Sequence, residues 1–238
     1  VGPRLGFEIA RRALRDGANV VLGARNEEKL EKIAAELDET GERVAFRRTD
    51  ITDEQQCAAL VAAAVERFGR VDGLAQVAAL DAIFGGVRDT PDSDWMASFT
   101  TNVLGPAYLV KAVAPQLAAA GGGGIVLIGS QSMYLPQVQQ IAYASAKGAL
   151  MSAMYYMAKE LGPERIRVNT VVPTWMWGPP VQGYVAMTAS QQGVPEEQIV
   201  AGITANMPLG EIPADEDVAE AVVFLMSDRA RMITGQSI

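Results

Sequence analysis

Five short apolar runs, each separated from the next by a stretch of helical periodicity, constrain this chain more than any other feature. The runs are Ala18–Gly23, Val44–Arg48, Gly73–Val77, Ile125–Ile128 and Arg167–Val172. Between the first two, Glu27–Glu39 places Leu30, Ile33, Ala34 and Leu37 on one helical face, and Asp53–Phe68 repeats the pattern with Leu60, Val61, Ala64 and Phe68. Longer helical patterns cover Trp95–Ala119 and Ala142–Leu161, and Asp215–Ser227 is the last. Strands joined through helices are parallel, because a crossover returns the chain to the edge it left. Parallel strands in turn need cover on both faces. The expected architecture is therefore α/β, a doubly wound parallel sheet in three layers.

The chain has 238 residues, 49% of them hydrophobic, which suits one domain over 1–238 with a substantial core. Gly121–Gly124 is a turn into a strand, too short to separate domains. A net charge of -8, with no histidine and no basic stripe, argues against nucleic acid or an anionic membrane as partner. The single cysteine, Cys57, has no partner for an internal disulfide and reads as buried filler in an alanine-rich helix. One cysteine and no histidine leave no zinc-type site and no Ser–His or Cys–His nucleophile. Ile141–Leu161 is apolar but carries Lys147, Lys159 and Glu160, which suits a membrane span poorly. No signal-peptide pattern is visible, and the expected location is cytoplasmic.

The first recognisable element is a helix beginning near Leu5, directly after the turn Val1-Gly2-Pro3-Arg4, with no strand before it. In a dinucleotide-binding sheet that turn follows the first strand. A further strand is also expected beyond Thr234-Gly235-Gln236. Trimming at both ends is the expectation.

Tyr143-Ala144-Ser145-Ala146-Lys147 places a phenol and an ammonium one helical turn apart on the same face. A nearby cation favours phenolate and is expected to lower the tyrosine pKa. Such a tyrosine can give a proton to a carbonyl oxygen or take one from an alcohol. The spacing recurs at Tyr155 and Lys159, so spacing alone does not decide. Thirteen residues before Tyr143 stands Ser130, at the end of a strand; the same offset from Tyr155 falls on Ala142, which has no hydroxyl. Tyr155 and Lys159 read as an ordinary helix pair.

With Ser130, Tyr143 and Lys147 in that order, and Asn102 followed by Gly105 upstream, the sequence resembles the short-chain dehydrogenase/reductase family from Val1 to Ile238. The resemblance implies a Rossmann-like fold and catalytic roles for Asn102, Ser130, Tyr143 and Lys147. Tyr143 would be the acid/base, and Lys147 would tune it while holding the nicotinamide ribose. Ser130 would bond the substrate oxygen, with Ser132 as the fallback hydroxyl, and Asn102 would fix a water in the proton relay.

The resemblance extends to cofactor binding, with departures. Gly2 and Gly6 belong to the glycine turn, but Arg4 stands where its middle glycine lets a diphosphate approach a helix N-terminus. A Cβ there is expected to crowd the phosphates, and the guanidinium to compensate in part; Leu5 follows it. Asp50 and Ile51 match the adenine-contacting acid and its neighbour. Gln76-Val77-Ala78-Ala79 replaces Asn-Asn-Ala-Gly, leaving Val77 and Ala78 as contacts. Pro173-Thr174 replaces Pro-Gly, and Gly178 replaces a carboxamide-binding threonine, so backbone groups near Pro173 and Met176 would serve the nicotinamide. Ala24 stands where NAD enzymes place an acid, and Arg25 follows it, favouring a 2′-phosphate; NADP(H) is the expected cofactor, with NAD(H) the alternative.

The stretch 174–212 is implied to be a substrate lid. Trp175, Trp177 and Tyr184, with Ser132, Met133 and Tyr134 opposite, would line a pocket for a hydrophobic ketone or alcohol. Three other readings stay open. They are a non-catalytic dinucleotide-binding protein, an acyl-thioester 3-oxo reductase, and an epimerase or dehydratase, which usually needs a larger substrate domain. The apolar residues around α-helical Ala142–Leu161 further imply a homodimer or homotetramer.

Overall fold

The computed structural model describes residues 1–2 and 4–238; Pro3 of the glycine turn lies outside them. In chain order come α1 (Leu5–Arg15), β1 (Val20–Ala24), α2 (Glu27–Leu37), β2 (Val44–Arg48), α3 (Glu54–Phe68) and β3 (Gly73–Gln76). There follow α4 (Asp92–Phe99), α5 (Gly105–Ala119), β4 (Gly123–Ile128), α6 (Ile141–Leu161) and β5 (Ile166–Val171). The chain continues through α7 (Pro179–Gln192), α8 (Glu196–Thr204) and α9 (Asp215–Met226).

All strand pairs among the described residues are parallel, as their helical connections require. β1 pairs with β2 from Val20↔Val44 to Ala24↔Arg48, and β4 lies between β3 and β5. The described strands form two sheets, β1-β2 and β3-β4-β5, rather than one. The last residues run along β5: Thr170 N–H donates to the Gln236 carbonyl at 2.9 Å, and Ser237 bridges Thr170.

Alternation along β4 builds the three layers. Ile125 and Leu127 face Val61 of α3, Val113 and Leu117 of α5, and Leu150 and Met154 of α6. Val126 and Ile128 face the other way, onto Leu5 and Ile9 of α1 and Val222 and Leu225 of α9. Successive side chains leave opposite faces of a strand, so a continuous apolar run is what a sheet covered on both sides demands. Each fully buried aliphatic side chain contributes roughly 1.5–3 kcal/mol. Cys57 is buried beside Ile51 and Leu109, and burial pushes its thiol up to about 11, away from reactive thiolate.

Two elements differ from the sequence expectation. The pattern over Trp95–Ala119 is not one helix: a π-helical turn, Thr100–Leu104, joins α4 to α5. The stretch 174–212 is not a plain loop, since α7 and α8 lie within it.

Candidate active site

The residues expected to act on substrate sit at the carboxyl end of the three-stranded sheet. Ser130 follows β4 in extended conformation and caps the short helical turn Gln131–Met133. Its hydroxyl oxygen accepts from Ser132 N–H at 3.2 Å and from the Ser132 hydroxyl at 2.9 Å. Both serines expected at the site are therefore together.

Tyr143 and Lys147 lie on one face of the first turns of α6, and both are buried, with 9% and 1% of their surface exposed. Lys147 Nζ stands 5.7 Å from the Tyr143 ring centroid and donates to the Ile128 carbonyl at 2.7 Å. An ammonium with so little water needs that oxygen. Burial pushes the Tyr143 phenol up to about 12, against the opposing pull of the Ser130 hydroxyl. Burial likewise lowers Lys147 to about 8. The expectation that lysine brings the tyrosine down is corrected: desolvation penalises phenolate and ammonium alike, and burial is the largest influence on each. Tyr155, by contrast, is 47% exposed on the outer face of α6.

Asn102 is fully buried in the π-helical turn, which packs against α6. Its side-chain oxygen accepts from Leu80 N–H at 3.1 Å, and its amide donates to the Leu80 carbonyl at 3.0 Å and the Ser98 hydroxyl at 3.2 Å. The oxygen and one amide proton thus fix the start of the loop after β3, and the other amide proton ties the turn to Ser98 of α4. The spacing to Gly105 has a steric cause. A Cβ at Gly105 would stand 2.7 Å from Ile51 Cγ1 and 3.0 Å from the Ile51 carbonyl oxygen, so only glycine lets α5 approach that close.

Arg25, Asp50, Ile51, Val77, Ala78, Pro173 and Met176 all follow the carboxyl ends of parallel strands, where such sheets take dinucleotides. The α1 N-terminus has no side-chain cap, leaving its first backbone N–H groups to a ligand. Several side chains are nonetheless committed elsewhere. Leu5 and Ile51 are buried in the core, and Val77 and Met176 pack against the α1–α9 cluster, so they can meet a cofactor chiefly through backbone. The Asp50 carboxylate accepts from Thr52 N–H at 2.9 Å and from its hydroxyl at 2.7 Å, bonds that hold it below the usual carboxylate range. Gln76 donates to the Ala78 carbonyl at 2.7 Å, while its buried side-chain oxygen has no partner among the described residues. The Pro173 carbonyl accepts from Gln131 N–H at 3.0 Å.

Arg4 does not crowd the turn with its charge. Its guanidinium turns to Asp215 at the start of α9, with contacts at 3.3 and 3.4 Å, and lies over Gly178 at the start of α7. A Cβ at Gly178 would meet that guanidinium at 2.6 Å. Arginine at one departure thus fills the space left by glycine at the other.

Sequence reasoning missed Arg48. It pairs in register with Ala24, and its Nε donates to the Arg25 carbonyl at 3.2 Å, bringing a second guanidinium to the end of β1. The signal was present in Arg47-Arg48 closing the second apolar run, which parallel pairing lays beside Ala24-Arg25. Around the expected pocket, Trp175 and Tyr184 stack at 5.1 Å between centroids, and Trp175 Nε1 donates to Gln137 at 3.0 Å. Met133 lies beside Gly129, Tyr134 donates its hydroxyl to Met151, and Tyr134 and Trp177 stay largely exposed. No group of His, Cys, Asp and Glu suited to a metal ion occurs among the described residues, and no described helix is long and apolar enough to cross a membrane.

A family model described as enoyl-(acyl carrier protein) reductase matches residues 4–238. The chain is 30% identical to human dehydrogenase/reductase SDR family member 4, over 98% of this chain and 81% of the relative. An actinorhodin polyketide ketoreductase solved with NADPH is 31% identical with a TM-score of 0.87, over 99% of this chain and 90% of that one. An NAD+-bound xylitol dehydrogenase is 27% identical with a TM-score of 0.88, over 98% of this chain and 92% of that one.

Proposed function

Because the chain belongs to the short-chain dehydrogenase/reductase family, an oxidoreductase family using nicotinamide cofactors, we propose that it reversibly reduces a hydrophobic ketone to a secondary alcohol with NADP(H). The observation that carries this reading is the buried pair of Tyr143 and Lys147 next to Ser130, at the carboxyl end of the sheet. A bound nicotinamide dinucleotide supplies the hydride, or takes it up in the reverse direction.

The chain's own part is proton handling and orientation. Ser130, backed by Ser132, donates a hydrogen bond to the substrate oxygen. Tyr143 gives its phenolic proton to that oxygen during reduction and recovers it during oxidation. A phenol pushed up to about 12 keeps its proton in the free protein, so giving that proton up requires that the developing phenolate be stabilised in the site. Lys147, fixed by the Ile128 carbonyl, supplies positive charge beneath the ring and stabilises the phenolate as it develops. Asn102 holds Leu80 and so positions the loop beside Tyr143; a water-holding role would fall to its remaining lone pair and neighbouring backbone.

The residues fit the dinucleotide. Gly2, Arg4 and backbone at Leu5 would hold its diphosphate and Asp50 and Ile51 its adenine, with Val77 and Ala78 as further contacts. Tyr143 and Lys147 would hold the nicotinamide ribose, and backbone at Pro173 and Met176 the carboxamide. Arg25, with Arg48 beside it, would bind a 2′-phosphate. Trp175, Tyr184, Met133, Tyr134 and Trp177 would border the substrate. The cytoplasm is the proposed location, and a homodimer or homotetramer the proposed assembly. The latter rests on exposed Tyr155 and Tyr156 along α6, and a monomeric mass by light scattering would contradict it. The function is tested by following NADPH and NADH oxidation with a panel of aryl, cyclic and aliphatic ketones. Carbonyl-dependent oxidation is expected; bound cofactor with no turnover on any ketone would favour the non-catalytic reading.

A further inference from the structure

The loop after β3 is tied down over the start of α6 at several points. Asn102 holds both backbone groups of Leu80, and the Gln140 amide donates to the Asp81 carbonyl at 2.6 Å. Gly85 N–H donates to Gln139 at 2.8 Å, and Ile141 N–H donates back to the Gly85 carbonyl at 3.2 Å. Asp81 is therefore anchored between Leu80 and Gln140, and Gln140 begins the turn that carries Tyr143. The Asp81 side chain is exposed to solvent and makes no hydrogen bond or ion pair among the described residues. Among those residues it is also the one charged side chain that acts on both Tyr143 and Lys147, raising each against the larger effect of burial on the lysine and together with it on the tyrosine.

From this placement we infer that Asp81 is a specificity-determining residue which selects uncharged substrates and repels carboxylate- or phosphate-bearing ones from the Tyr143 site. The inference rests on the reductase reading above and deepens it by fixing the charge class of the substrate. An exposed carboxylate on a loop anchored by its backbone to the start of α6 raises the cost of bringing a second anion beside Tyr143. Two unit charges in this partly solvated setting shift relative affinity by about tenfold. The other charged group facing Tyr143 is Lys147, which gives one of its three N–H donors to the Ile128 carbonyl and whose charge is disfavoured by burial.

The test compares kcat/KM for an uncharged keto ester and its free keto acid, in the parent, Asp81→Asn and Asp81→Glu. The parent is expected to prefer the ester, Asp81→Asn to lose about tenfold of that preference, and Asp81→Glu to keep most of it. An unchanged ratio in Asp81→Asn, or equal loss in Asp81→Glu, overturns the inference. A second readout needs no turnover: NMR titration of Lys147, resolved among the five lysines of the chain, in the parent and Asp81→Asn. Removing the carboxylate should move the Lys147 midpoint down. An unmoved midpoint overturns the inference even in an active enzyme. A moved midpoint in a protein that reduces no ketone supports the placement of Asp81 and sinks the reductase reading alone.

Discussion

β5 is buried along its whole length and β4 from its second residue, whereas β2 is buried at Val44 and exposed from Phe46 to its end. The groups expected to handle the proton hang from the first pair: Ser130 on the end of β4, Lys147 on the Ile128 carbonyl, Tyr143 on the helix between them. The groups expected to read the nucleotide's phosphates, Arg25 and Arg48, sit on the open ends of β1 and β2. Chemistry on a proton needs a dry, fixed setting, because pKa values respond to burial. Recognition of a phosphate works at a solvated edge, where a charge costs little to keep. The departures from the family pattern, Arg4, Gln76 and Gly178, fall at strand and helix ends outside the set Asn102, Ser130, Tyr143 and Lys147.

If that contrast is real, substitutions in the two regions should differ in kind. The largest effect is expected for Lys147→Met. Turnover should fall by about a hundredfold or more, yet the protein should melt no lower than the parent at neutral pH. The sign follows from the lysine, whose folded value of about 8 lies below its ordinary 10.5. Between these values the unfolded chain binds more protons, so lysine-linked stability rises with pH there and is lost as pH falls through about 8. The methionine variant should lack that rise in a plot of melting temperature against pH. A variant that melts well below the parent at pH 7 would mean that the lysine is a structural tie.

Smaller effects belong to the nucleotide region. Arg25→Ala should cut the NADPH-over-NADH preference by about ten- to a hundredfold, the worth of one charge-assisted contact, with Arg48→Ala reducing it less. Arg4→Gly should change the affinities of both cofactors together, by several-fold, leaving their ratio intact. Its guanidinium lies by Asp215 and Gly178 rather than by the end of β1. Isothermal titration with NADP+ and NAD+ reads both predictions. A ratio unmoved in Arg25→Ala, or moved in Arg4→Gly, would erase the division of labour drawn here.

The same division governs what could be read from residues alone. Apolar runs marked all five strands of the described residues to within a few residues, because a sheet covered on both faces writes continuous apolar stretches. Ser130, Tyr143 and Lys147 stood out because a strand end and one helix face fix their relative positions. The π-helical turn was hidden, since one extra residue in a turn barely alters a helical pattern. α7 was also hidden: its sequence is weakly amphipathic, although Pro179-Pro180 at its start and left-handed Gly193 at its end are ordinary helix boundaries. Asp81 and Arg48 were missed for a shared reason. Their neighbours are far away in sequence, at Gln140 and Ala24, and only folding brings them together. The direction of the Tyr143 shift was misread because spacing shows the lysine and not the burial.

The central claim is that Tyr143, and not the similarly spaced Tyr155, moves the proton. The most direct measurement sets Tyr143→Phe beside Tyr155→Phe, with NADPH and a ketone that the parent accepts, while fluorescence titration follows NADPH binding. Tyr143→Phe should lose between about a hundredfold and ten-thousandfold in kcat and still bind NADPH, and Tyr155→Phe should stay near the parent. An active Tyr143→Phe, or a dead Tyr155→Phe, would contradict the account.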